Sequence, residues 1–299
     1  MKNGKRPPSK RLLQALTDYY YTTNKGRIIA DAQKAIDLFL ESRRNGLSPR
    51  TIHDFYKKYL TKAIPVLGLT PTPSAINTFI NSLSCSPGGK HAYFRAIRAF
   101  YNWLYSPKSG YTFQGKDNPV IWVEPPKVPK LILPSLTRQE LELLISRVNF
   151  VRDKAIITLF TESGLRLTEL ANIKLEDIDW QSRIVKVLGK GGKEAYAPFG
   201  ELSEKYLREW LSRYLPNGNI WGINNYGIAT MLRRLEKETG LPCNPHTFRR
   251  TFACLLRKAG VDTMTIKDLG RWESLEMVQR YTRSVTFQDS LKFYKPPLG

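Results

Sequence analysis

The feature that most constrains the fold is a proline-rich stretch near the middle of the 299-residue chain. Proline lacks a backbone N–H and clashes with the preceding helical turn, so a segment dense in proline cannot continue an α-helix. Apolar residues at helical spacing occur on both sides of the stretch. We therefore predict two folded domains joined by a linker at residues 106–134, which contains Pro107, Pro119, Pro125, Pro126, Pro129 and Pro134.

Four amphipathic helices are predicted before the linker. The first covers residues 27–45, where apolar residues recur every three to four positions until Gly46. Pro49, Pro73 and Pro87 each stand where a further helical pattern begins, and the first turn is where a helix best accepts proline. Four helices with short connections predict a compact helical bundle over residues 27–105, preceded by a basic extension at residues 1–26.

The sequence after the linker predicts a mostly helical domain over residues 135–285. Thr137 followed by Glu140 is typical of a capping box at a helix start. Residues 183–198 alternate aliphatic with polar residues around a GKGGK turn, which predicts a β-hairpin. Helical patterns then occupy residues 203–214, 226–238, 246–258, 263–269 and 274–282. The predicted fold class is mainly α, in the α+β sense that one small antiparallel sheet is present.

The chain is strongly basic, with 47 Lys and Arg residues against 26 Asp and Glu residues and a formal net charge of +21. Residues 1–130 carry 21 basic and 7 acidic side chains, or +14, and residues 131–299 carry 26 and 19, or +7. Such a charge indicates either a nucleic-acid partner or a solvated basic surface. No apolar run reaches the roughly 20 residues of a membrane helix. The three cysteines, Cys85, Cys243 and Cys254, show no CxxC spacing typical of a zinc or disulfide site. We therefore expect a protein of the reducing cytoplasm, and the missing apolar run predicts that it binds no membrane.

Several common catalytic motifs are missing from the sequence. It contains no glycine-rich P-loop, GxGxxG, HExxH or GxSxG motif, and only 3 histidines are available for a metal site. We therefore expect neither a cofactor nor a metal. Two pairs could carry chemistry: Arg166 with Glu169 three residues later, and His246 with Arg249 one helical turn later. Each pair by itself is common at protein surfaces and in cores.

Taken in order, the polar residues of the second domain resemble the tyrosine recombinase (phage integrase) family. The pattern consists of Arg166 in GLRLTEL, Lys190 in the GKGGK turn, the segment HTFRRTFA, the segment LGRW, and Tyr281 nine residues after Trp272. The resemblance is close over residues 136–283. It is looser over residues 27–105, which would form the core-binding, DNA-contacting domain of such enzymes.

The resemblance implies a role for each residue of the pattern. Arg166 and Arg249 would clamp the phosphate, and Tyr281 would be the nucleophile. Lys190 would be the general acid and His246 the proton-transfer histidine. Trp272 would donate its indole N–H to the phosphate, and Glu169 would be the supporting carboxylate. The implied activity is site-specific recombination of double-stranded DNA through a covalent 3′-phosphotyrosyl intermediate, without ATP or metal, by a tetramer on two duplexes. Two alternatives stay open: a type IB topoisomerase, which religates the same strand, and a non-catalytic DNA-binding relative.

One residue departs from the usual family pattern, and two further assignments need comment. Trp272 stands where most relatives carry histidine, so that an indole N–H replaces an imidazole as donor to the phosphate. We interpret the preceding Arg271 as a neighbour that contacts DNA or solvent. Lys186 and Lys193 compete with Lys190 for the role of general acid if the hairpin register differs.

The tail at residues 286–299 begins with a short amphipathic pattern. Its predicted buried face consists of Phe287, Leu291 and Tyr294. In relatives such tails dock on a neighbouring protomer, and packing on the tail's own domain is an equally open interpretation.

Overall fold

The computed structural model of the chain describes residues 31–113, 115–129, 131–189 and 192–295. The chain forms two compact units, Met1–Lys130 and Leu131–Gly299. Each unit buries its own hydrophobic side chains. The first unit has one core, between Ala32 and Val123, and the second has a larger core between Leu136 and Phe248 and a smaller one between Phe252 and Val278. The described elements are mostly helices with one three-stranded antiparallel sheet, which confirms the predicted fold class.

The first unit contains the four predicted helical segments. Residues 31–42 are helical (α1), and the predicted residues 27–30 lie outside the described residues. A short α-helix, α2 (Pro49–Thr51), continues through a π-helical segment (Ile52–Lys57) into α3 (Lys58–Leu67). Two more helices follow, α4 (Pro73–Ser82) and α5 (Pro87–Leu104).

The helix starts in the first unit follow from capping. Ser48, Thr72 and Ser86 stand directly before the three helix-starting prolines, and each side chain accepts a hydrogen bond from a backbone N–H of the first turn. Proline in the first turn leaves no N–H without a partner. The three Ser/Thr-Pro pairs therefore explain why the helices begin where the sequence predicted.

The proline-rich segment packs in part as a piece of the first unit. Its described residues form three 3₁₀ segments, Pro107–Ser109, Gly115–Asp117 and Pro119–Trp122, and no α-helix. Val120 and Val123 are buried in the same core as the four helices.

The second unit opens with three helices. α6 (Arg138–Arg147) carries the predicted capping box, α7 (Val151–Ser163) ends at Gly164 in left-handed conformation, and α8 (Leu167–Ala171) follows at once. The sheet then forms with the order β1 (Ile178–Asp179), β2 (Ile184–Leu188) and β3 (Glu194–Pro198). Val185 pairs with Ala197, and both are buried, which sets the hairpin register.

Six helices complete the second unit. They are α9 (Glu201–Arg213), α10 (Asn225–Thr239), α11 (Pro245–Lys258), α12 (Thr263–Leu269), α13 (Leu275–Tyr281) and α14 (Phe287–Leu291). α7 is buried on most sides, and the ring of its Phe160 stacks on that of Phe248 in α11 with centroids 5.8 Å apart. This packing brings the end of α7 against α11. In the part of the chain that the structure describes, no helix is long and apolar enough to span a membrane.

Candidate active site

Arg166 and Glu169 form the ion pair that their spacing predicted. The Glu169 carboxylate accepts hydrogen bonds from Arg166 Nη1 at 2.6 Å and from the Arg166 backbone N–H at 2.9 Å. The Glu169 side chain is only 2 % exposed. Burial opposes ionisation, but the hydrogen bonds from Arg166 and the charge of Arg271 lower the pKa of Glu169 below its ordinary value. Arg166 is thus held by an ionised, buried carboxylate at the start of α8.

Arg249 lies in α11 behind this pair and is almost fully buried. Its two terminal nitrogens donate to the backbone carbonyls of Gly164 and Gly270. Its guanidinium lies over the Trp272 ring, 4.3 Å from the centroid. Burial, together with the charges of Arg166 and Arg271, lowers the pKa of Arg249 to about 10, so the side chain remains a cation at neutral pH.

Tyr281 and His246 meet on the open side of the site. The Tyr281 hydroxyl lies 3.5 Å from His246 Nδ1, at the outer limit of a hydrogen bond. Burial and the charges of Arg249, Arg250 and Arg166 lower the pKa of His246, so its imidazole is neutral at pH 7 and can accept a proton. Both side chains line a cavity of about 410 Å³.

Trp272 lies between the arginines and the tyrosine. Its ring is 3 % exposed, and its centroid lies 5.5 Å from that of Tyr281. The indole Nε1–H is buried and has no hydrogen-bond partner among the described residues. A buried donor without a partner is uncommon in proteins. The resemblance implies that this N–H donates to the phosphate, and that role stays a prediction.

The structure brings together six of the seven predicted site residues, all but Lys190. Their catalytic roles stay predictions, and Lys190 lies outside the described residues. Of its two rivals, Lys186 stands opposite Tyr196 in the sheet, with its Nζ 3.6 Å from Glu194 Oε1, and Lys193 is exposed next to β3.

The interpretation of Arg271 as a neighbour that contacts DNA or solvent is wrong. Its side chain is 11 % exposed and turns into the protein, where it donates to several backbone carbonyls and to Glu169. Arg250 was not predicted as a site residue, and its Nε donates to the Pro134 carbonyl at 3.0 Å. The sequence contains one indication of both residues, because Arg250 directly follows the predicted site residue Arg249 and Arg271 directly precedes Trp272.

Comparisons with known proteins agree with one another. The sequence model described as the phage integrase family matches residues 134–286. Tyrosine recombinase XerC of Staphylococcus epidermidis is 35 % identical over 216 residues, which cover 66 % of this chain and 71 % of the relative. Tyrosine recombinase XerA of Pyrococcus horikoshii is 31 % identical over 252 residues, which cover 81 % of this chain and 85 % of the relative.

Solved structures share the fold at lower sequence identity. A lambda integrase dimer bound to a COC′ core site has a TM-score of 0.70 at 18 % identity and covers 92 % of this chain and 83 % of the integrase chain. The Tn1549 transposon integrase in complex with circular intermediate DNA has a TM-score of 0.62 at 17 % identity and covers 88 % of this chain and 99 % of the integrase chain.

Proposed function

The chain belongs to the tyrosine recombinase (phage integrase) family, and from that premise we propose that it is a site-specific DNA recombinase whose nucleophile is Tyr281. As a DNA strand transferase it cuts and rejoins strands of double-stranded DNA. The observation that carries the assignment of the nucleophile is the position of the Tyr281 hydroxyl, 3.5 Å from His246 Nδ1 and beside the buried arginines.

In the proposed reaction, side chains of the second unit act one after another. The Tyr281 oxygen attacks the scissile phosphorus, a P–O bond to the tyrosine forms, and the bond to the 5′ oxygen breaks. His246 accepts the phenol proton as its contact with the hydroxyl shortens in the substrate complex. The departing 5′ oxygen needs a proton, which we assign to Lys190. The 5′ hydroxyl of another strand then attacks the phosphorus of the 3′-phosphotyrosyl ester and gives its proton to Lys190. The bond to Tyr281 breaks, and the tyrosine oxygen takes back its proton from His246.

The charge of the site suits a phosphodiester. Arg166, Arg249 and Arg271 supply three guanidinium groups, and Glu169 supplies one carboxylate, so these four side chains carry a net charge of about +2. Negative charge builds up on the non-bridging phosphate oxygens during attack, and fixed guanidinium forks stabilise it. We assign the buried Nε1–H of Trp272, which has no partner among the described residues, as a further donor to the phosphate.

The tail supports assembly with further copies of this chain. Phe293 packs against Gly260, and Lys258 Nζ lies 3.8 Å from Asp289 Oδ1, so the tail is attached to its own unit. The predicted buried face nevertheless remains open, with Phe287 75 % and Tyr294 62 % exposed. We propose that this face docks on a neighbouring protomer in a tetramer that holds two duplexes in the cytoplasm.

The experiment that tests the function traps the covalent intermediate. Duplexes from a pooled library, nicked so that a short strand diffuses away after cleavage, are incubated in EDTA with the wild-type chain or with Tyr281→Phe and run on a denaturing gel. We expect both proteins to bind duplex DNA and only the wild type to form a protein–DNA adduct, because phenylalanine has no nucleophilic oxygen. An adduct that persists in Tyr281→Phe would move the nucleophile to another residue.

A second assay separates recombination from relaxation. Sequences recovered from the trapped adduct are placed on two differently labelled duplexes and on a supercoiled plasmid. Joining of strands between the two duplexes identifies a recombinase. Plasmid relaxation without such joining would instead identify a type IB topoisomerase.

A further inference from the structure

We propose that Arg271 is a positioning residue for the strand-transfer reaction. Its buried guanidinium holds the Arg166–Glu169 pair and the hairpin strand β3 in place. This proposal rests on the proposed function, in which Arg166 binds the scissile phosphate and must hold it in one place. It goes beyond that function because Arg271 is given no direct contact with the phosphate there and acts here through Arg166 and Glu169.

The guanidinium of Arg271 joins three parts of the second unit. It donates to the carbonyl of Leu269 at 2.8 Å, in its own segment, and to that of Ser163 at 3.4 Å, at the end of α7. It also reaches the carbonyl of Tyr196 in β3 at 3.4 Å. These acceptors lie up to 108 residues from Arg271 in the sequence. One side chain therefore connects strand β3 of the hairpin to the end of α7.

The same residue holds Arg166 from two directions. Arg271 Nη2 lies 3.5 Å from Glu169 Oε2, which also accepts the Arg166 backbone N–H, while the Arg166 side chain binds the other carboxylate oxygen, Oε1. The backbone carbonyl of Arg271 accepts a hydrogen bond from Arg166 Nη2 at 3.4 Å. The orientation of Arg166 thus depends on one carboxylate and one carbonyl, and Arg271 contacts the first and supplies the second.

The backbone of Arg271 adopts a conformation that favours glycine. Its φ is +56°, and among the described residues the only other non-glycine residue with positive φ is Arg183. An L-residue is strained there, and such strain persists where surrounding contacts over-determine it. Glycine would take this backbone without strain, so the contacts of the side chain are what an arginine adds at this position.

Burying this arginine is also electrostatically unfavourable. Burial and the charge of Arg166 lower the pKa of Arg271, and Glu169 is the counter-charge that opposes them. Arg249 lies close enough for its own pKa to be lowered by Arg271. A third buried guanidinium beside Arg166 and Arg249 adds little to the stability of the fold. Its contact with the Glu169 carboxylate helps to hold that side chain in one rotamer, which favours a role in positioning over a role in stability.

The test compares Arg271→Gly with Arg183→Gly. Arg183 is a matched control because it has a φ of +50° and pairs with two carboxylates, Glu204 at 2.7 Å and Glu201 at 3.2 Å, at the start of the hairpin. Each glycine variant keeps its backbone and loses its ion pairs. The readouts are the single-turnover rate of adduct formation on a trapped duplex, the Kd for the duplex, and the Nε–Hε resonance of Arg166 in the free protein.

We expect Arg271→Gly to form the adduct about 10- to 100-fold more slowly, because displacements near 1 Å in an active site cost up to about 10²-fold. Its Kd for the duplex should stay within about threefold of the wild type, and the Arg166 resonance should shift or broaden. Arg183→Gly should change none of the three readouts. Arg271→Lys keeps the charge but not the fork, and its rate should fall between those of the wild type and Arg271→Gly.

A double-mutant cycle supplies a second, independent readout. If Arg271 acts through Glu169, Arg271→Gly should slow a Glu169→Gln protein far less than it slows the wild type. Full additivity, or an Arg271→Gly protein with wild-type rate and an unmoved Arg166 resonance, would overturn the positioning role. A wild type that forms no adduct would overturn the proposed function, and the Arg166 resonance would still decide whether Arg271 positions Arg166.

Discussion

At the scale of single residues, the chemistry depends on the protonation state of His246. Its pKa lies below the ordinary value of about 6.5, because the imidazole is buried beside Arg249, Arg250 and Arg166. Only the neutral imidazole can accept the proton of Tyr281. We therefore expect the rate of adduct formation at subsaturating duplex to be constant near neutral pH, where His246 is already neutral. The rate should fall only below about pH 6.5, as His246 becomes protonated. Single-turnover rates between about pH 5 and pH 8 measure this acid limb.

The same shift predicts how stability changes with pH. Below about pH 6.5 the unfolded chain binds a proton on His246 more readily than the folded chain, so acidification lowers the free energy of unfolding until the folded pKa is reached. His246→Gln should slow the reaction, remove the acid limb, and weaken the loss of stability in urea unfolding over this range. His91→Gln, in the first unit, is the control and should leave the limb in place. An unchanged limb in His246→Gln would assign it to another group.

At the scale of elements, the end of α7 sets the position of the arginines. Gly164 ends this helix with φ +58°, its carbonyl accepts a hydrogen bond from Arg249, and an added Cβ would lie 2.5 Å from Phe252 Cδ1. Gly240 ends α10 with φ +70° and open space around it. Gly240→Ala should cost about 1–2 kcal/mol through its backbone alone. Gly164→Ala should cost about 1–3 kcal/mol more through overpacking, and should also slow adduct formation. Equal losses in urea unfolding would mean that Phe252 moves aside.

The elements also show which features a sequence can predict. Helix starts and ends, such as those at Thr137 and Gly164, follow from neighbouring residues, and the four-helix and hairpin predictions depended on such local signals. The residues that form the site were predicted from their order in the chain. The burial of Arg271 was not predictable in this way, because its partners Ser163 and Tyr196 are 108 and 75 residues away and nothing in the adjacent sequence marks its positive φ.

At the scale of the whole molecule, the distribution of charge predicts how binding depends on salt. The net charge of +21 divides into +14 on residues 1–130 and +7 on residues 131–299. A protein that neutralises about six to ten phosphates loses about 10³- to 10⁵-fold in affinity between about 50 and 200 mM salt. We expect the full chain to fall in this range, and residues 131–299 alone, which form a unit with its own core, to show at most about half the slope.

Fluorescence anisotropy of a labelled duplex at several salt concentrations measures both slopes. Full-length Tyr281→Phe is the control, because it removes no charge and should reproduce the wild-type slope while its affinity reports binding without covalent trapping. Counterion release depends on the number of phosphates contacted, so a shallower slope for residues 131–299 would count the contacts made by the first unit. Equal slopes would mean that the +14 of residues 1–130 does not face the DNA backbone and that the second unit alone binds the phosphates.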